Sequence, residues 1–449
     1  MKKNIFLITI CAFFVLQSCD QYLDMKPQAS VAIPETMEDV RALLNDADIL
    51  NQCGPSLLEN GTDDYYIDDN SLKNMVETYQ GMYLWRKNYT ALDISADWYG
   101  GYRAVMTTNV ILEALDRIKD GDPMEKKTMR GEALFIRAFV HYCQAQIYSE
   151  IGQLNSDTKP GIPIRLTSDY GVVSKRGTVA ENVAAILKDL NEAAVLLPET
   201  TVSKIKPSKV AVYALLSRIY LSFSKYDEAE NYADLALQRY NKILDLNSID
   251  LTSMTPFTIG HDEIIYAMYG RNGNLLLQAN ANRALYSQYG DNDLREKAYF
   301  YDKGNGHIGF KSNYTGLFST LFTGLTTDEL VLNAAECAAR KGDLGKAAKQ
   351  INHLLLHKWK TGTYSSIVFS DKEQAVDLIL RERRKELIFR GVRWSDIKRL
   401  NQEGGREMVL QRKNDTGNVI AELPPNDNRY YYLIPDDVIR QTGMVQNIR

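Results

Sequence analysis

Tyrosine and tryptophan are the residues whose number and placement first suggest chemistry in this chain. Between Tyr65 and Tyr102 there are nine aromatic side chains, and between Tyr286 and Phe318 there are eight, five of them tyrosines. Each such ring offers an apolar face to stack on a sugar or a peptide side chain, and a polar tip that tolerates water. Trp98 and Tyr102 belong to a WYGGY segment that enters a helical pattern, so packing is their expected role. Tyr65, Tyr66, Tyr83, Trp85, Tyr289, Tyr301 and Tyr314 lie in loop-like sequence and are the candidate ligand contacts.

Other groupings fit reactive chemistry less well. The run TDDYYIDD, with Asp63, Asp64, Asp68 and Asp69, has oxygen ligands for calcium but not the spacing of an EF-hand loop, and reads as solvated or helix-capping acids. GNGHIG, from Gly304 to Gly309, matches G-x-G-x-x-G, yet FKSNYTG follows it where a dinucleotide site needs a helix; a glycine-rich hairpin or loop is expected. His353 and His357 are four apart on a helical pattern, but Leu354 stands where a zinc protease carries its glutamate. They read as surface or packing histidines. The basic run of Arg381, Arg383, Arg384, Lys385, Arg390 and Arg393 is interleaved with Glu382 and Glu386, which points to ion pairs within one helix. No metal, cofactor or catalytic residue is expected. A glycosidase would need two carboxylates about 5–10 Å apart, and no motif marks such a pair among the 57 acids.

The elements that must hold these loops are helices. Apolar residues recur at three and four over about 96–119, 128–150, 178–197, 207–222, 227–240, 327–341, 344–358 and 373–400. The stretches 50–90, 241–326 and 402–435 are rich in Gly, Asn, Asp and Tyr and read as long loops with a few short strands. Residues 207–240 place Leu216, Ser217, Tyr220, Ala229 and Ala236 at tetratricopeptide spacings, and 325–358 repeat the plan, with GDLGKA aligned on SKYDEA. Such pairs must stack to bury their apolar faces. The expected fold is mainly α, with about four tetratricopeptide-like helix pairs, long loops and a few short strands.

The N-terminus reads MKKNIFLITICAFFVLQS and then Cys19: two lysines, an apolar run too short to span a bilayer, and small or polar residues before a cysteine. Leu16-Gln17-Ser18-Cys19 resembles the lipobox that bacteria cleave before a cysteine they acylate. Residues 1–18 are therefore expected to be a lipoprotein signal peptide, Cys19 the lipidation site and 19–30 a polar tether. Loss of Lys2 and Lys3 would move the net charge from -4 to -6, and a mildly acidic exported body is a poor nucleic-acid binder. The cysteines left, Cys53, Cys143 and Cys337, match no disulfide framework or zinc spacing; Cys143 and Cys337 read as small buried residues.

Four segments in order carry a family resemblance. They are DWYGGYRAVMTTNVILEAL from Asp97, RGEALFIRAFVHYCQAQIYSEIG from Arg130 with GIPI from Gly161, ERRKELIFRGVRWSDIKRL from Glu382, and YYYLIPDDVI from Tyr430 followed by Gln446-Asn447. Together they resemble the SusD/RagB-type outer-membrane lipoproteins. The resemblance implies an N-terminal region over 31–240 and a C-terminal region over 241–449, packed as one body. It implies a non-enzymatic, lipid-anchored protein of the outer membrane, exposed at the cell surface. Its partner would be a SusC-like TonB-dependent transporter, and its ligand an oligosaccharide or polysaccharide. Peptide capture by the same architecture is the alternative; a glycan or peptide hydrolase and a purely protein-binding scaffold are the remaining readings. The chain is shorter than the starch-binding members, so no ligand residue of theirs carries over.

Overall fold

The computed structural model describes residues 33–93, 96–150, 156–271, 273–311, 314–317 and 320–449. Cys19 and the tether lie outside these residues. Among the described residues nine helices carry the body: α1 (Asp97–Arg117), α2 (Pro123–Tyr148), α3 (Val179–Leu196), α4 (Lys209–Ser222), α5 (Tyr226–Leu237), α6 (Thr327–Lys341), α7 (Leu344–Leu356), α8 (Lys372–Glu386) and α9 (Arg393–Leu400). Local sequence starts them. Asp122 accepts the N–H groups of Met124 and Glu125 with Pro123 in the first turn of α2, and Thr178 with Glu181 forms a capping box on α3.

The repeat is visible in its turns. Ser224 and Gly342, aligned between the two copies, both take a left-handed backbone, with φ of 55° and 85°. The alanines five residues on, Ala229 and Ala347, are fully buried where the paired helices cross. Ser217 ties one copy to the next: its hydroxyl donates to the Ala229 carbonyl at 2.9 Å and accepts from the Asn333 amide at 3.0 Å. Helices α1 to α8 pack largely in sequence order, and the main core runs from Val40 to Met444. Buried ion pairs cross between elements, among them Arg137 with Asp189 at 2.7 and 2.8 Å and Arg399 with Glu336 at 2.6 and 2.8 Å.

The segments quoted for the family resemblance are packing devices. Trp394 is fully buried, its indole N–H donates to the Tyr430 carbonyl at 3.0 Å, and its ring lies 4.9 Å from that of Tyr430. A side chain at Gly61 would meet that indole, with a Cβ 2.5 Å from its edge. In the tail, Gln446 exchanges two hydrogen bonds of 2.8 Å with the backbone of Ile434, and Asn447 donates to the carbonyls of Tyr148 and Tyr432.

Two expectations need correction here. The pattern over 373–400 does not form one helix: it breaks between α8 and α9, where Phe389 and Gly391 have φ of 54° and 72° and the Gly391 N–H donates to buried Glu59. The basic run is also not paired mainly within its own helix. Arg383 binds Asp396, Arg384 binds Asp63 and Asp64, Arg390 faces Asp328, and Arg393 binds Asp63, while Lys385 to Glu382 is an intrahelical contact. A run that must cross a turn and sink into the core needs acids from other elements to neutralise it.

The stretches expected as loops hold short helices, including Leu57–Asn60, Asp69–Asn74 and Glu77–Tyr83. Met37–Leu44, ahead of the first expected helix, is helical as well. Among the described residues the strands form two-stranded antiparallel ladders. They are β1 (Tyr65–Tyr66) with β4 (Asn280–Ala281), β2 (Ile264–Tyr266) with β8 (Leu325–Thr326), β3 (Tyr269–Arg271) with β7 (Thr320–Phe322), β5 (Phe300–Gly304) with β6 (His307–Phe310), and β9 (Leu410–Lys413) with β10 (Val419–Leu423). GNGHIG is the tip of the β5–β6 hairpin, where Asn305 and Gly306 take φ of 55° and 74° as a two-residue hairpin turn requires. No helix among the described residues is long and apolar enough to cross a membrane.

Candidate ligand-binding cleft

Three of these short pairings converge on a cleft of about 710 Å³. The β1–β4 pair brings Tyr65 and Tyr66 beside Asn282 and Arg283, the β5–β6 hairpin contributes His307, and the β9–β10 hairpin contributes Gln411 to Asp415. Tyr66 is half-buried: its hydroxyl lies 3.0 Å from His307 Nδ1, and the Arg283 guanidinium lies 5.7 Å from the centre of its ring. Tyr65 and Tyr83 form the floor, with only 1% and 2% of their surfaces exposed. Their hydroxyls are already used: Tyr65 donates to the Asn60 carbonyl at 2.7 Å, and Tyr83 accepts the Ile67 N–H at 3.0 Å.

Arg412 locks that floor. It is 2% exposed and donates to the carbonyls of Tyr83, Tyr65 and Asn60 at 3.0, 3.1 and 3.3 Å. Its guanidinium carbon sits 4.0 Å from the ring of Tyr83, 4.5 Å from Trp85 and 5.1 Å from Tyr65, a set of cation–π contacts in a dry environment. Asp63, at the edge of the cleft, accepts from Arg393 at 2.8 and 2.9 Å and forms an ion pair with Arg384 at 3.0 Å. Burial works against its charged form, but the two guanidinium groups outweigh burial and hold its carboxyl well below the usual range. Asp68 accepts the Ser71 N–H and caps a helix.

The other aromatic candidates lie elsewhere. Trp85 is 1% exposed behind the floor, with φ of 49° and its N–H donated to the Gly61 carbonyl. Tyr289 is buried and donates to the Lys385 carbonyl at 2.9 Å, beside Arg295. Tyr314 is fully buried, donating to Glu263 at 2.6 Å. Tyr301 is half-buried in a separate depression of about 430 Å³ with Tyr286 and Lys311. Loop-like sequence therefore misplaced Trp85, Tyr289 and Tyr314, whose faces are covered by protein as folded. Trp98 and Tyr102 do pack as expected, with ring centres 4.8 Å apart, although they also line a smaller groove of about 260 Å³ with the more exposed Tyr99 and Tyr170. The cleft residues not anticipated include Arg283, His307, Gln411, Arg412 and Lys413. No motif marks them: Arg283 follows β4, which pairs with distant β1, and the others sit on two local hairpins that only the fold brings beside that pair.

One acidic trio resembles a metal site. Glu263, Asp328 and Glu386 place one oxygen each within 4.8 Å of the others. The cation there belongs to the protein: Lys358 Nζ is 2.9 Å from Glu263 and 3.2 Å from Glu386, and Arg390 is 3.5 Å from Asp328. His353 and His357 are half-buried, with ring centres 5.4 Å apart and His357 Nδ1 2.9 Å from the His353 carbonyl.

A helical-repeat scaffold carrying a polar, aromatic-floored cleft on short strand pairs defines a class of binding proteins, and comparison narrows it. A family model described as starch-binding and associating with the outer membrane matches residues 21–221, and a SusD family model matches 327–449. The chain belongs to the SusD/RagB family. Proteins of this non-catalytic family bind glycans and work with SusC-like transporters. SusD-like protein P2 of Formosa agariphila is 23% identical, over 79% of this chain and 80% of its own. Among solved structures, a SusD superfamily protein from Bacteroides thetaiotaomicron VPI-5482 superposes with a TM-score of 0.73 at 19% identity, covering 92% of this chain and 100% of that one. A SusD-like carbohydrate-binding protein from Bacteroides vulgatus ATCC 8482 gives 0.68 at 19% identity, covering 90% and 96%.

Proposed function

We propose that this protein is an outer-membrane lipoprotein, acylated at Cys19 and displayed at the cell surface, that captures an oligosaccharide and passes it to a SusC-like TonB-dependent transporter without turning it over. The observation that carries the reading is the cleft around Tyr66. It joins an aromatic face and a polar rim in one concavity of about 710 Å³, a size suited to a short run of sugar rings. The carboxylates near it support binding without catalysis, since Asp63 is held by two arginines and Asp415 is used to dock a hairpin tip onto the Asp69 N–H at 3.1 Å.

Binding to a panel of purified oligosaccharides, with Tyr66→Ala as the control, tests the reading. Saturable binding that Tyr66→Ala weakens by about tenfold, with no product released, is expected. Absence of binding to every glycan, or release of shorter products, would overturn it. Selective binding of peptides would favour a peptide-capturing member of the same family.

A further inference from the structure

Resting on that reading of the cleft, we propose that its ligand is an anionic glycan, one bearing carboxylate or sulfate groups. The bias lies in which hydrogen-bonding groups are still free. Acceptors are largely spent inside the protein. Asn282 Oδ1 accepts the N–H groups of Ala284 and Leu285 at 2.9 and 3.1 Å, while its amide N–H donates to the Asp63 carbonyl at 2.9 Å. Asn414 Oδ1 accepts the Thr416 hydroxyl and the Asn418 N–H, both at 2.8 Å. Both oxygens of Asp63 are taken by arginines.

Donors remain. The side chains of Arg283 and Lys413 are exposed and make no hydrogen bond or ion pair with the described residues; Arg283 has only the face of Tyr66 at 5.7 Å. Below them, Arg412 is a buried cation satisfied by backbone carbonyls and ring faces, so its charge also adds to the potential of the cleft. Against these three cations stands Asp415 in the lining, with Asp69 beside it and Asp68 near His307 just outside. The chain as a whole is acidic, at -4, so the cationic excess belongs to the cleft lining itself. A neutral sugar would leave two cationic donors facing hydroxyls. A carboxylate or sulfate would give Arg283 a charge-assisted partner while a sugar face rests on Tyr66.

Titration calorimetry on the purified protein, with matched pairs of oligosaccharides, tests this. One pair is a galacturonate oligomer and its carboxyl-reduced form, and the other a sulfated galactan oligomer and its desulfated form, so that the two anion sources are separated. The charged member of at least one pair is expected to bind about tenfold tighter or better, with affinity falling as salt rises. Arg283→Gln and Lys413→Gln should each remove about tenfold of that affinity with the unfolding temperature unchanged. Equal binding of charged and neutral members would overturn the anion proposal and leave the glycan-capture reading standing. Charged binding that the double variant does not weaken would overturn the placement of the anion in this cleft. No binding in either pair, nor to any other glycan, would sink the capture reading itself, and tighter binding of an oligoglutamate peptide than of any glycan would replace the glycan with an acidic peptide.

Discussion

Tyr66 and Tyr314 are the same residue type in similar loop-like sequence, and the fold gives them opposite roles. Tyr66 is half-buried and lines the cleft; Tyr314 is 0% exposed and donates its hydroxyl to Glu263. Burial moves the Glu263 carboxyl up to about 7, against the opposing charge of Lys358, and the Tyr314 hydrogen bond favours its ionised form. Tyr314→Phe should therefore leave ligand affinity unchanged while lowering stability by about 1–3 kcal/mol, read from denaturant unfolding. Tyr66→Ala should do the reverse. Sequence could nominate tyrosines as stacking residues, because ring chemistry belongs to the residue. It could not sort them, because exposure is set by what packs on top, and for Tyr314 that includes Glu263, Asp328 and Arg390 from three other segments.

At the scale of elements, the periodic helices were legible and their interruptions were not. The break between α8 and α9 occurs within a sequence of good helical period, and what holds it open is tertiary: Gly391 donates to Glu59, more than 300 positions earlier, and Phe389 turns into an aromatic core. Gly391 has φ of 72°, and a Cβ added to it would stand only 3.2 Å from the Thr323 side chain. Gly391→Ala should lower stability by about 1–2 kcal/mol, measurable as a shift in the urea midpoint without loss of helical circular dichroism. Aligned Ser224 and Gly342 show the opposite case, since a repeat turn falls at a fixed place in the period and could be read directly. The two-residue β1 and β4 carry no usable alternation. Their pairing of Tyr65 with Ala281 was invisible in sequence although the candidate site depends on it.

For the whole molecule, the buried ion pairs that staple the helices make stability depend on acid. Burial alone would raise the Glu336 pKa, but the charges of Arg399 and Arg340 outweigh it and hold the carboxyl at about 2. A carboxyl depressed in the folded state stabilises fully above its unfolded value of about 4.5 and loses that contribution as pH falls toward 2. The unfolding temperature is expected to drop over that window. Glu336→Gln should flatten this part of the profile while lowering stability near neutral pH by about 3 kcal/mol, because buried Arg399 loses its two-bond carboxylate partner and keeps only Asp396. At the same scale, Cys19→Ala should release the protein from the membrane fraction; retention at wild-type levels would rule out the acyl anchor.

What the sequence determined by itself is what rests on local periodicity or on short contiguous signals: the helical repeats, a glycine-rich hairpin or loop at GNGHIG, the expectation of a lipid anchor, and a family resemblance whose residues serve to pack Trp394 and stitch the C-terminal tail. The tertiary structure alone decided which aromatic rings face outward, which acid neutralises each arginine, and that Tyr66, Arg283, His307 and Lys413 share one cleft. The physical reason is range. Helix and turn propensity act over a few residues, whereas burial and charge pairing depend on partners that only the folded chain brings within reach, as Arg412 of one hairpin does beneath Tyr65 and Tyr83 of distant segments.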